Sequence, residues 1–162
     1  MRILRDYTFG DYMTTHLNAE WIVGFVDGEG CFHIAINKNA AMTLGVQVLP
    51  EFTVVQHKSD IQILHALKAY WKCGVVRVNH GDRMCYRVRG QQHLRDIIVP
   101  FFENHKLKTK KRIAFERFRD AVRLVDKKEH LTEDGLLKFQ KLRDGINNLR
   151  ESPPPHENGE IM

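Results

Sequence analysis

The sequence predicts an α+β fold: an αββαββα unit whose four strands form one antiparallel sheet with helices on one face, followed by two extra C-terminal helices. Three observations carry this. Two pairs of segments alternate apolar and polar residues with the two-residue period of half-buried strands. Stretches with helical spacing precede, separate and follow those pairs. A chain of 162 residues that is 43% hydrophobic can fill one core without disulfide or metal staples, which argues against several domains.

Asn18 can cap the first helix, which runs through Trp21, Ile22, Phe25 and Val26 and breaks at Gly28. From Cys31 to Asn37 the residues Phe32, Ile34 and Ile36 alternate with His33, Ala35 and Asn37, the pattern of a strand. A second strand, about Leu44 to His57, turns Val46, Val48, Phe52 and Val54 inward and Gln47, Leu49, Glu51 and Thr53 outward. Pro50 within it marks a bulge or an edge. Ser59 and Asp60 open a helix carrying Ile63, Leu64, Leu67 and Trp71, with Gly74 just past its end. A hairpin follows, Val75 to His80 and Met84 to Arg89, turning at Gly81 and Asp82. Its alternation places Val76, Val78, Met84, Tyr86 and Val88 on one face and Arg77, Asn79, Cys85, Arg87 and Arg89 on the other. Helices are then expected through Leu94, Ile97, Ile98 and Phe101, through Ala114, Phe118, Ala121, Val122 and Val125, and from about Thr132 to Leu149. Residues 17–150 form the single domain, 1–16 an N-terminal extension and 151–162, with three consecutive prolines, a flexible tail.

Charge is concentrated rather than spread. The chain carries a net +5, yet residues 105–128 hold ten Lys and Arg against Glu116, Asp120 and Asp126. A second cluster, Arg77, Arg83, Arg87, Arg89 and Arg95, is opposed only by Asp82 within residues 74–95. Two basic surfaces favour a polyanionic partner. Cys31, Cys73 and Cys85 are odd in number and widely spaced, so neither a disulfide framework nor a CxxC metal site is written here, and a reduced, intracellular setting is expected. The apolar runs fall far short of the roughly 20 residues a bilayer span needs, and acids interrupt the opening stretch where a signal peptide would be apolar. No membrane partner is expected. The histidines show no HExxH or paired metal spacing.

The segment Trp21 to Gly30, WIVGFVDGEG, is the sharpest signal. Acids at a helix C-terminus oppose the helix dipole, so Asp27 and Glu29 are poor choices for stability alone. Gly24 lets another backbone approach the helix. A carboxylate beside an exposed carbonyl is a hard oxygen site of the kind magnesium or calcium accepts, although a turn with solvated acids has the same letters. The outward strand residues likewise read two ways. They form a solvated sheet face, or a surface whose Arg, Asn, Gln and Thr side chains meet base edges.

This segment resembles the signature of the LAGLIDADG homing endonucleases, with Gly24, Asp27, Gly28, Glu29 and Gly30 on the pattern. The resemblance extends over residues 17–110 in element order, and Gln56 and Lys108 fall at two further family positions. Two letters depart from it: Glu29 stands where the family name spells Asp, and Trp21 stands where Leu is usual. The resemblance implies a metal-dependent endonuclease that cuts both strands of a long, near-palindromic DNA target. Glu29 would be the principal metal ligand with the Gly28 carbonyl assisting, Gln56 would order water, Lys108 would lie near the scissile phosphate, and Asp27 would support the helix end. Mg2+ would be the cofactor, with Mn2+ able to substitute and Ca2+ binding without supporting cleavage.

The acid-ended motif occurs once, and two strands need two sites, so the resemblance implies a homodimer joined at Gly24 with Trp21 and Phe25 beside it. The DNA-reading residues would be His33, Asn37, Gln47, Thr53, Arg77, Asn79, Arg87 and Arg89. Lys106, Lys110 and Lys111 would meet phosphate. Glu51, on the same face, stays unassigned. Two other readings accompany this one, a DNA-binding protein that does not cut and an RNA-binding intron maturase. An intracellular setting, bacterial cytoplasm or an organelle such as a chloroplast or mitochondrion, suits each of them.

Overall fold

The computed structural model describes residues 15–151. Helix α1 (Ala19–Glu29) leads directly into β1 (Gly30–Lys38) and β2 (Val46–His57), then α2 (Ile61–Trp71), β3 (Val75–His80) and β4 (Arg83–Val88). Next, α3 (Gln91–His93) widens through a π-helical stretch, Leu94–Ile98, into α4 (Val99–Asn104), and α5 (Lys111–Asp126) and α6 (Glu133–Glu151) follow. The expectations for an N-terminal extension and a flexible tail concern residues 1–14 and 152–162, which lie outside the described residues. Helix α6 carries one residue into the segment expected as tail.

The four strands form one sheet in the order β1-β2-β4-β3, every neighbouring pair antiparallel. Alternation decides which face is covered. Phe32, Phe52, Val54, Tyr86 and Val88 point to the helices and are buried with Ile22, Leu67, Trp71, Phe102, Phe118 and Phe139. Phe32 meets Phe52, Phe102 and Phe118 with ring centroids 5.1, 5.5 and 5.2 Å away, in the offset and edge geometries that aromatic quadrupoles prefer. The buried Tyr86 hydroxyl donates to the Cys73 carbonyl at 2.9 Å, and burial pushes its phenol above the ordinary range. Gly74 stands at φ +81°, where an added Cβ would lie 2.7 Å from the Tyr86 ring and 2.8 Å from the Arg87 carbonyl. Only glycine makes that entry into β3.

Four details depart from the sequence expectation. Strand β2 starts at Val46 because Gly45, at φ +68°, closes the preceding turn. Pro50 pairs in register with Ile34 without a bulge. It is tolerated because β4 begins pairing only at Phe52, leaving Pro50 with one neighbouring strand among the described residues. Val78, expected inward, is 58% exposed: the register slips between Val78 and His80, and the edge strand β3 runs out from under the helices. The third helix carries the π-helical stretch just before Pro100, which lacks an N–H and crowds the carbonyl four residues earlier. At the other end of the chain, Thr132 Oγ1 accepts from Gly135 N at 3.0 Å and starts α6 where expected.

Candidate active site

The site grows from the corner where α1 becomes β1. Asn18 Oδ1 accepts from Trp21 N at 2.8 Å and fixes the start of α1, whose Ile22, Val23 and Val26 are buried. At the other end Gly30 donates to the Val26 carbonyl, and a Cβ on it would stand 2.5 Å from Val26 Cγ1. Helix therefore turns to strand without a linker, and Glu29 is the last residue before the corner. The Glu29 side chain is exposed and has no hydrogen-bond or ion-pair partner among the described residues.

Asp27, two residues earlier, has both carboxylate oxygens engaged. Its carboxylate accepts from Lys108 N at 2.9 Å, Thr109 N at 3.2 Å and Thr109 Oγ1 at 2.8 Å. These bonds fasten the segment before α5 to the end of α1, and Leu107, 2% exposed, anchors the same segment from the core side. Lys108 is thus held beside the Glu29 corner by its own backbone while its side chain stays exposed, its Nζ donating to the Lys106 carbonyl at 3.4 Å. Lys106 and Lys110 are exposed neighbours in this segment. Lys111 differs: its ammonium is bonded to the Gly30 carbonyl rather than presented to solvent. Burial, the largest cause, lowers its pKa, assisted by Arg150 and opposed by Cys31, Asp27 and Glu29.

Gln56 is half-buried near the end of β2, two residues beyond the Val54–Gly30 pair, so β2 carries it past the start of β1 and alongside the end of α1. The backbone register thus places Gln56 on the corner side of the sheet with Glu29, and the Asp27 bonds bring Lys108 to the same end of α1.

The uncovered sheet face forms an open cleft of about 450 Å³ whose polar lining includes His33, Glu51, Thr53, Arg77, Asn79 and Arg87. Asn37 and Gln47 lie farther along the β1–β2 arm as directly opposed partners, and Gln47 Oε1 accepts from Asn39 Nδ2 at 3.4 Å. Arg89 is exposed at the end of β4, and its guanidinium is paired with Glu51. That contact answers why an acid sits on a basic face. Cys85 also lines the cleft, as the hairpin register predicts. His33, opposed to Glu51, has its pKa lowered chiefly by burial; Glu51 opposes the shift, and Arg150 and Arg89 add to it.

Sequence reasoning did not find Thr109, although a threonine just ahead of a helix is a visible start signal. Nor did it find Arg150, whose guanidinium donates to Cys31 Sγ at 2.8 Å and to the Phe32 carbonyl at 3.3 Å. No local signal marks a contact across 119 residues.

No group of three or more His, Cys, Asp or Glu side chains able to hold a metal exists among the described residues. At the corner one chain offers one exposed carboxylate without a hydrogen-bond partner among the described residues, and exposed lysines in the segment that Asp27 fastens to the end of α1. Such a corner suits a polyanion that brings its own oxygen ligands.

Comparison with known proteins supports the same class. The sequence matches the family model described as LAGLIDADG endonuclease over residues 22–122. The chain belongs to that family. It is 30% identical over 136 residues to a probable intron-encoded endonuclease 2 of Neurospora crassa, covering 83% of this chain and 27% of that protein. It thus spans only about a quarter of the length of the first curated relatives it matches. Among solved structures, the homing endonuclease I-TnaI is 45% identical with a TM-score of 0.79, covering 85% of this chain and 96% of that one. I-SmaMI bound to an uncleaved DNA target in the presence of calcium ions is 34% identical with a TM-score of 0.80, covering 82% of this chain and 45% of that one.

Proposed function

We propose that this chain is a site-specific DNA endonuclease that hydrolyses phosphodiesters on both strands of a long, near-palindromic target, using divalent metal ions and acting as a homodimer. The observation that carries the reading is Glu29: an exposed, unpartnered carboxylate at a rigid helix-to-strand corner, beside a lysine segment fastened by Asp27. The kinship with I-TnaI and with DNA-bound I-SmaMI supports DNA as the partner.

Glu29 and the Gly28 carbonyl would hold the metal, Mg2+ by preference with Mn2+ as a substitute and Ca2+ as a non-catalytic occupant. When bound, the ion neutralises phosphate charge and lowers the pKa of a water. The fit is to an ion that keeps most of its shell as water and phosphate oxygen, since three donors already occupy most of the Asp27 carboxylate. Lys108 brings a positive charge to the phosphate, and Gln56 orients water at the same corner. Arg77, Arg87, Asn79, Thr53 and His33 then read bases from the cleft.

The dimer reading rests on α1. Trp21 and Gly24 are exposed on one side of it, Phe25 is half-buried there, and the two rings stack at 4.7 Å. Gly24 costs the helix about 1 kcal/mol against alanine, yet a Cβ there would meet nothing within 4 Å. A second copy of α1 laid across Gly24 gives that residue a purpose and brings two Glu29 corners together. No helix among the described residues is long and apolar enough to cross a membrane. The setting we assign is intracellular, from a mobile intron of a bacterium or an organelle, in keeping with a curated relative named as intron-encoded.

The test is selection from randomised duplexes. DNA bound in calcium is recovered, magnesium is added and the ends are sequenced, with Glu29→Gln in parallel and sedimentation to count subunits. We expect a cut near-palindrome with the wild type, binding without cutting for Glu29→Gln, and two chains per target. Binding without cutting by the wild type in magnesium and manganese would leave a recognition protein, and no enrichment of any duplex would turn the reading to an RNA-binding maturase.

A further inference from the structure

The unexplained contacts of the site are those of two cations, the half-buried Lys111 and the exposed Arg150, with the start of β1 just after Glu29. Lys111, from the first turn of α5, bonds the Gly30 carbonyl. Arg150, near the end of α6, bonds Cys31 Sγ at 2.8 Å and the Phe32 carbonyl at 3.3 Å. These partners are the three residues that follow Glu29 in the chain. With Asp27 gripping Lys108 and Thr109 from the other side, the exposed acid is bracketed by ties to segments more than 80 residues away.

We propose that Arg150 and Lys111 are positioning residues, which hold the start of β1 so that the Glu29 carboxylate keeps one orientation for cleavage. Among the described residues β1 is an edge strand that pairs only with β2, and its first residue pairs at Val54. The sheet therefore restrains the corner from one side alone, and α5 and α6 supply the restraint on the other. The contacts line an open cleft of about 260 Å³ rather than the packed core, and Arg150 is exposed. Replacing Arg150 thus removes the tie without emptying the core. The positive charges also offset the acids that crowd the end of α1, where the helix dipole is unfavourable to carboxylates.

The proposal rests on the nuclease reading, and the test separates the two. Arg150→Ala, Arg150→Lys and Lys111→Met are compared with the wild type in three measurements: hydrogen exchange of the metal-free protein over residues 27–34, target affinity in calcium, and single-turnover cleavage in magnesium. Arg150→Ala is expected to exchange faster over that segment, to bind within about threefold of wild type, and to cut about 10- to 100-fold more slowly. Arg150→Lys, which can satisfy one of the two acceptors, should recover part of both exchange protection and rate. Pairing Arg150→Ala with Lys111→Met should cost less than the two losses combined, because both act on one short segment. Unchanged exchange in Arg150→Ala overturns the proposal. So does an affinity loss that tracks the rate loss, which would make Arg150 a phosphate contact. A wild type that cuts no duplex overturns the nuclease reading instead, and is recognised without any variant.

Discussion

Arginines of the sheet and arginines of the helical layer live differently. Arg77, Arg83 and Arg87 have no ion-pair or hydrogen-bond partner for their guanidinium groups among the described residues. In the helical layer, Arg95, Arg112, Arg119, Arg123 and Arg143 are each paired with an acid, while Arg117 and Arg150 bond main-chain oxygens. A count of charges sees one basic chain. The pairing shows that, among the described residues, the arginines left without a partner are gathered on the sheet face opposite the helices. Each unpaired guanidinium keeps five donors in a rigid fork for a base edge or a phosphate.

The largest test of this contrast sets Arg87→Ala against Arg123→Ala. Arg87 lines the cleft and lacks a partner, so its loss should weaken target binding by about 1–3 kcal/mol and relax the preference at one base position. Arg123 is paired with Glu103 on the helical layer, so its loss should leave target affinity within about twofold and cost less than about 1 kcal/mol of stability. Titrations on a matched set of target variants and urea melts read both. Equal losses of affinity would show that the helical layer also touches DNA, and the comparison would fail.

This contrast was half legible in the sequence. Alternation reveals which arginines share the sheet face, because a two-residue period needs only neighbours, and the same logic places Phe32, Phe52 and Tyr86 in the core. Partners are another matter. Glu51 and Arg89 are 38 residues apart and meet only because β2 pairs with β4. Lys111 and Lys110 are adjacent in the chain, yet one faces the Gly30 carbonyl and the other solvent, which depends on where the first turn of α5 meets β1. Val78 follows the alternation and still reaches solvent, since a slipped register at a sheet edge leaves no trace in apolar spacing. The site was legible wherever a motif carries its own geometry, as at Asp27 to Gly30. It was opaque wherever distant segments close on each other, as at Arg150.

Arg89 is the exception on the sheet, and Glu51→Gln sharpens the comparison by converting it to the free class. Glu51 is nearly covered, with 15% of its side chain exposed, so glutamine can stay as an acceptor while the charge is removed. We expect a few-fold gain in affinity for DNA of any sequence, with the salt dependence of binding steeper by about one phosphate contact. Salt titrations on target and random duplexes measure it. An affinity loss confined to one base would instead show Glu51 reading a cytosine amino group.

The smallest effect concerns protons on the same face. Burial lowers the pKa of His33, and it does the same to His65 and His130 elsewhere in the fold. For a base whose folded pKa lies below its unfolded value, the unfolded chain takes up the proton first as pH falls, so stability is full above the ordinary histidine range and declines on acidification through it. His130 adds to this, because its Nδ1 is buried without a hydrogen-bond partner and a second N–H there would have none either. Urea melts from pH 7.5 to 5 should therefore show falling stability, with the fall reduced in His130→Gln. His33 responds further, since it faces Glu51 as well as Arg89 and Arg150. Glu51→Gln removes the one neighbour that favours the imidazolium, so the His33 resonance should titrate at still lower pH in that variant. An unchanged midpoint would mean that the Glu51 charge is already spent on Arg89, and the paired class of cation would then be electrically silent on the sheet as well as among the helices.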